Sequence, residues 1–128
     1  LNEKPVTWVG PSKKELGTFP EDVVDAIGFA LGDVQNARMP ANAKVMQGFG
    51  GASVLEIVAN DASGTFRAVY TVKFEEAVYI LHCFQKKSTQ GIKTSKQDLH
   101  LIRKRLAWAE EIHKRWKESS QAQTDQKK

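Results

Sequence analysis

Changes in the period of the apolar positions mark out the elements of this chain. KPVTWV at 4–9 reads as a short strand, with Pro5 confining it to a sheet edge or a strand start. In the following PSKKELGTF, Ser12 and Glu15 have the spacing of a capping box, and Gly17 predicts an early end to that helix. Thr18 and Glu21 repeat the same spacing, with Pro20 in the first turn, where its missing N–H costs nothing. Val23, Ile27, Ala30, Leu31 and Val34 then recur at helical spacing to about Ala37. The two segments predict a helical hairpin with one apolar stripe. Gly28 and Gly32, each costing roughly 1 kcal/mol against Ala in a helix, predict close packing on a sheet.

RMPANAKVMQGFGG at 38–51 reads as loop. Gly48, Gly50 and Gly51 imitate a phosphate loop, but that motif needs Gly-Lys-Ser/Thr opening a helix, and here a strand, SVLEIVAN at 53–60, follows a plain turn. After a second turn at 61–64, Phe66, Ala68, Tyr70, Val72 and Phe74 alternate with Arg67, Val69, Thr71 and Lys73. The first set predicts a core face. The second predicts a partly open face that points Arg67 and Lys73 outward together. Glu75 and Glu76 form a tight turn into 77–87, which is apolar on both faces until Gln85, as in a central strand. Ser95, with Asp98 three residues on, opens a helix in which Leu99, Ile102, Leu106, Ala109, His113 and Trp116 step by three and four. That helix spans about 23 residues, roughly 34 Å. From Glu118 the sequence is polar and aperiodic, which predicts a disordered tail over 118–128. The order β-α-α-β-β-β-α predicts a small α+β domain at 1–117. Its antiparallel sheet carries the helical hairpin on one face, and the C-terminal helix flanks the other.

With 128 residues, 41% of them hydrophobic and 9% aromatic, the chain suits one globular domain. Its single cysteine, Cys83, excludes an internal disulfide and fits a reducing compartment. No apolar run approaches the roughly 20 residues needed to span a bilayer, and the first residues lack the pattern of a secretory signal. The expectation is a cytoplasmic protein with no membrane partner. The formal net charge of +4 is unevenly spread. Residues 1–84 hold seven Lys/Arg against ten Asp/Glu, 85–117 hold ten against three, and the tail holds two against two. A basic third on a mildly acidic body is the footprint of a partner for a polyanion or an acidic protein.

Among the residues with chemistry, His82, His100 and His113 share no metal-ligand spacing with Cys83 or a carboxylate cluster, so neither metal nor cofactor is expected. His82 and Cys83 are strand neighbours and point to opposite faces, which excludes a Cys-His pair. No serine is flanked by the glycines of a nucleophile elbow. That leaves the cations. Arg67 lies mid-strand among apolar residues, where a charge is costly unless it faces a cleft or a partner. One of Lys86 and Lys87 shares its face, depending on register. Such a cluster suits phosphate, and RNA brings its own nucleophile in the 2′-hydroxyl. The protein then supplies alignment, cationic stabilisation and proton transfer. Phe84 or Tyr70 is placed to stack a splayed base.

FRAVYTV, AVYILHCFQKKS and a Lys/Thr loop into a basic helix resemble the RelE/ParE toxin superfamily, in particular its phage-derived, HigB-type branch of host-inhibition toxins. The similarity runs over roughly residues 4–112. It implies a type II toxin held by a cognate antitoxin of helix-turn-helix type. In RelE-like members it implies mRNA cleavage in the ribosomal A site. The Arg of the FRAVY-like strand and the second cation of the Lys-Lys pair, which handle the scissile phosphate there, fall on Arg67 and Lys87. This chain has Glu56 where RelE carries basic residues on the preceding strand. It has Lys93 and Thr94 near the place of RelE's C-terminal tyrosine. His82 or Glu56 then becomes the candidate for proton transfer, with Lys73, Phe84, Tyr70 and Lys93 as further substrate contacts. The main alternative is a non-catalytic, ParE-like toxin that binds DNA gyrase. A plain basic nucleic-acid-binding module is the third reading.

Overall fold

The protein is described by a computed structural model covering residues 3–86 and 94–126, with side chains to residue 122. Along the chain run β1 (Val6–Trp8), α1 (Ser12–Leu16), α2 (Glu21–Gln35), β2 (Ala43–Val45), β3 (Val54–Asp61), β4 (Gly64–Thr71), β5 (Val78–Lys86) and α3 (Lys96–Gln126). The strands form one sheet in the order β1-β5-β4-β3-β2.

The α+β class and the antiparallel meander follow the hydrophobic pattern, with two differences. β1 pairs with β5 in parallel, Val6 opposite Val78 and Trp8 opposite Ile80, so the sheet is mixed. The segment expected to be loop contains β2, which pairs antiparallel with β3 and sets Lys44 directly opposite Glu56. Three residues between proline, asparagine and glycine turns are too few for alternation to register.

The apolar stripe of α2 (Val23, Ile27, Ala30, Leu31, Val34) is buried as its spacing requires. It packs on Leu55, Ile57, Phe66, Ala68 and Tyr70 of the sheet. Each fully buried aliphatic side chain there contributes about 1.5–3 kcal/mol. On the opposite face Ile102 and Ala109 of α3 close over Val54, Val69, Tyr79, Leu81 and Phe84. A bulge in β5 makes this second core possible. Val69 lies opposite His82 but Tyr70 opposite Ile80, so the register slips by one residue at Leu81. Tyr79 and Leu81 before the slip, and His82 and Phe84 beside it, therefore turn toward α3.

Neither N-terminal capping box forms. Pro11 and Pro20 occupy the two N-cap positions without side-chain bonds. Thr18 Oγ1 donates to the Glu15 carbonyl at 2.7 Å, while the Glu15 carboxylate points away to other partners. The Ser95–Asp98 cap does form, with the Asp98 amide donating to Ser95 Oγ at 3.1 Å. Gly28 and Gly32 meet no neighbouring atoms where a Cβ would sit, so they do not mark close packing on the sheet. α3 is continuous to Gln126, so the apolar pattern that stops at Trp116 does not mark its end. Among the described residues no helix is long and apolar enough to cross a membrane.

Candidate functional site

The sheet face turned toward α3 carries a row of charges. Glu56 on β3 stands opposite Val69, and Arg67 on β4 lies two residues further along, a diagonal pair on one face. Arg67 Nη1 donates to Glu56 Oε1, with the side chains only 6% and 4% exposed. Lys44 Nζ reaches the same oxygen at 3.5 Å from the neighbouring edge strand. These three groups, with Met46, Gln47, Thr94 and Leu99, line a cleft of about 510 Å³ between β2–β4 and the start of α3. Arg67 Nε is buried without a partner among the described residues, so the guanidinium keeps a spare donor.

Register places Lys86 beside Arg67. Arg67 lies opposite Phe84 and Thr65 opposite Lys86, so Lys86 is the diagonal neighbour of Arg67 on the same face. Burial, then the nearby charges of Arg67 and Lys44, push the Lys86 ammonium pKa down, and Glu56 opposes them. Lys87 and Lys93 lie outside the described residues.

The other expected site residues are placed elsewhere. Lys73 is ion-paired to Glu110 of α3 at 2.7 Å, away from Arg67. Tyr70 sits in the core on the opposite face, where burial raises its pKa to about 12, and it borders a separate cavity of about 350 Å³ with Val34 and Arg38. This corrects the expectation that Tyr70 stacks a base beside Arg67. Phe84 does share Arg67's face, but it is buried and stacked on His82 at 4.8 Å.

His82 is a core histidine, with Nδ1 3.1 Å from Glu15 Oε1 and Nε2 2.8 Å from Asp98 Oδ1. The structure does not bring it into the Arg67 cleft. Glu15 Oε1 also accepts from Arg105 Nη1 at 2.8 Å and from the Cys83 amide at 3.1 Å. β1 stops at Trp8, opposite Ile80, so α1 covers the bare edge of β5 and its Glu15 satisfies an edge amide. Burial alone would raise the Glu15 carboxyl, but the hydrogen bonds from His82, Arg105 and Cys83 hold it at about 2. Burial pushes the Cys83 thiol up to about 12, which suits a small core residue and not a nucleophile.

Sequence reasoning missed Lys44, Glu15 and Arg105. Lys44 lies in the three-residue strand, and Glu15 was assigned to a cap. Arg105 is one of the ten cations counted over 85–117, yet it is 6% exposed and donates to the Leu81 carbonyl at 3.0 Å. Its one sequence signal is position, since Arg105 falls between Ile102 and Ala109 on the buried stripe. Among the described residues no cluster of His, Cys, Asp or Glu could hold a metal ion.

A small mixed sheet, with α2 on one face, a long C-terminal helix on the other and α1 against the β5 edge, is the RelE-like fold. An E. coli toxin RelE variant in its free state superposes with a TM-score of 0.52 at 18% identity, over 69% of this chain and 88% of that one. A chain of the RelBE2 toxin–antitoxin complex from Mycobacterium tuberculosis aligns at 23% identity and a TM-score of 0.45, over 66% of this chain and 99% of that one. The family model for phage-derived Gp49-like proteins (DUF891) matches residues 14–107, and the chain belongs to that family. A comparison with curated protein sequences finds no match.

Proposed function

We propose that the protein is the toxin of a type II toxin–antitoxin system, of the HigB-type branch, and that it stops translation by cutting mRNA on the ribosome in the cytoplasm. The observation that carries this reading is the meeting of Arg67, Glu56 and Lys44 in one cleft, with Lys86 beside it. A phosphodiester entering the cleft meets cations from three strands, which stabilise the charge that builds on phosphorus. Glu56 takes the proton of the 2′-hydroxyl as that oxygen attacks the adjacent phosphorus. Lys86, whose ammonium gives up its proton more readily than an exposed lysine, protonates the departing 5′-oxygen. The products are a 2′,3′-cyclic phosphate and a free 5′-hydroxyl. The partner that holds the toxin inactive is an antitoxin of helix-turn-helix type.

The test is induced expression followed by mapping of transcript ends. Lys44→Ala and Lys86→Ala are the informative variants, because both side chains reach solvent and their loss leaves the core intact. Each should slow cutting about 10²- to 10³-fold, the usual loss for one stabilising donor, with unchanged thermal stability. Arg67→Ala should abolish cutting as well. It also strands Glu56 in the sheet, at a cost of about 3–5 kcal/mol for a broken buried pair, so its folded fraction must be measured alongside. Intact mRNA together with trapped, cleaved DNA–gyrase complexes would overturn the nuclease reading in favour of gyrase poisoning.

A further inference from the structure

We infer that Phe49 and Arg103, paired as ring and cation beside the cleft, form a platform for a nucleobase of the RNA next to the scissile phosphate. This rests on the endonuclease reading and adds a substrate-positioning site to it. The Arg103 guanidinium carbon lies 5.3 Å over the centre of the Phe49 ring. Among the described residues the Arg103 side chain makes no hydrogen bond or ion pair, and it is exposed. An exposed cation held over an aromatic face, with no carboxylate partner among the described residues, offers a base both a ring and a guanidinium, and single-stranded RNA bases stack on either.

The platform is placed by the same elements that wall the cleft. Leu99 of α3 lines the cleft, and Arg103 follows it by one turn, about 6 Å along the axis and on nearly the same face. Gln47 lines the opposite wall, and Phe49 follows it by two residues. An RNA strand with a phosphate on Arg67 that leaves the cleft between Gln47 and Leu99 therefore runs toward the pair.

The loop between β2 and β3 holds the ring in position. Gly48 has φ +92°, a backbone conformation that favours glycine, and Arg103 Nη2 would stand in ordinary contact, 3.4 Å from a Cβ placed there. One edge of Phe49 packs on the core beneath α3 and leaves the ring half-buried. The glycines that imitate a phosphate loop are in this account the mount for an aromatic side chain.

The experiment measures single-turnover cutting of a defined mRNA on programmed ribosomes while the concentration of full-length toxin is varied. Phe49→Ala and Arg103→Ala should raise the half-saturating concentration roughly 5- to 100-fold, the range for losing one stacked base. The maximal rate should stay within about twofold of wild type, because neither residue belongs to the groups on phosphorus. Phe49→Leu keeps the apolar packing and should show the same weakening, which a merely structural role would not. An abasic nucleotide at the stacked position should weaken the wild type equally and leave Arg103→Ala unaffected. Wild-type concentration dependence in these variants, or additive losses with the abasic RNA, overturns the platform alone. Failure of the wild-type protein to cut any RNA overturns the endonuclease reading and the platform with it.

Discussion

Replacing Glu15 by Gln tests the network that clamps α3 to the sheet. Glu15 Oε1 takes bonds from Arg105 Nη1 at 2.8 Å, His82 Nδ1 at 3.1 Å and the Cys83 amide at 3.1 Å, and its side chain is 22% exposed. A carboxyl lowered from 4.5 to about 2 corresponds to about 3 kcal/mol at 1.36 kcal/mol per tenfold change. Residual solvent contact reduces that to about 2 kcal/mol. The folded pKa lies below the unfolded one, so this stability is fully present above about pH 4.5 and is lost as the pH falls toward 2. Urea unfolding at pH 7 should show Glu15→Gln about 2 kcal/mol less stable than wild type with the same m-value. The gap between the two proteins should close steadily between pH 5 and about pH 2. A gap that stays constant across that interval would falsify the assignment of the stability to the ionised carboxylate.

Other outcomes follow from the same geometry. Tyr70→Phe should cut mRNA at the wild-type rate, since Tyr70 faces α2 across the sheet from Arg67; a loss above about tenfold would move the active face. Cys83 should resist a thiol reagent in the native protein at pH 8 and react fully in 6 M guanidinium, because burial holds its pKa near 12. Gly10→Ala should lower stability by about 1–2 kcal/mol, as φ is +54° and a Cβ would stand 3.2 Å from the Trp108 ring; an unchanged urea midpoint would refute it.

The elements with long, regular periods were legible from sequence. α2 announced itself through five apolar positions, and β4 through apolar residues at every second position from Phe66, although its other face, expected to be partly open with Arg67 pointing outward, is buried as well. What could not be read depends on pairing. The bulge at Leu81 leaves no mark in a strand that is apolar on both faces, yet it decides that Lys86 stands on the side of Arg67. The partner of Arg67 was equally hidden. Glu56 was visible as a candidate, but only the β3–β4 register brings it into contact with Arg67, and only β2 adds Lys44. Arg105 and Glu15 are 90 residues apart and meet because α1 fills the edge of β5 that β1 leaves bare.

The energetics of the Arg67–Glu56 pair bear on why it persists. A buried ion pair gains little net stability, because desolvating two charges offsets most of their attraction, and a well-packed apolar pair often serves as well. A sheet needing only cohesion would have no use for it at a position flanked by Val69 and Val58. The pair sits where the cover from α3 ends: Ile102 and Ala109 seal the sheet, but Leu99 and Thr94 border open space above Arg67. Glu56 holds the guanidinium in place without substrate, and the cations of Lys44 and Lys86 leave the site positive after that pairing. Double replacement of Arg67 and Glu56 by apolar residues of similar size should therefore leave stability within about 1 kcal/mol of wild type, while cutting is lost. A double variant that unfolds would make the pair a structural necessity and remove the energetic reason for assigning it to the site.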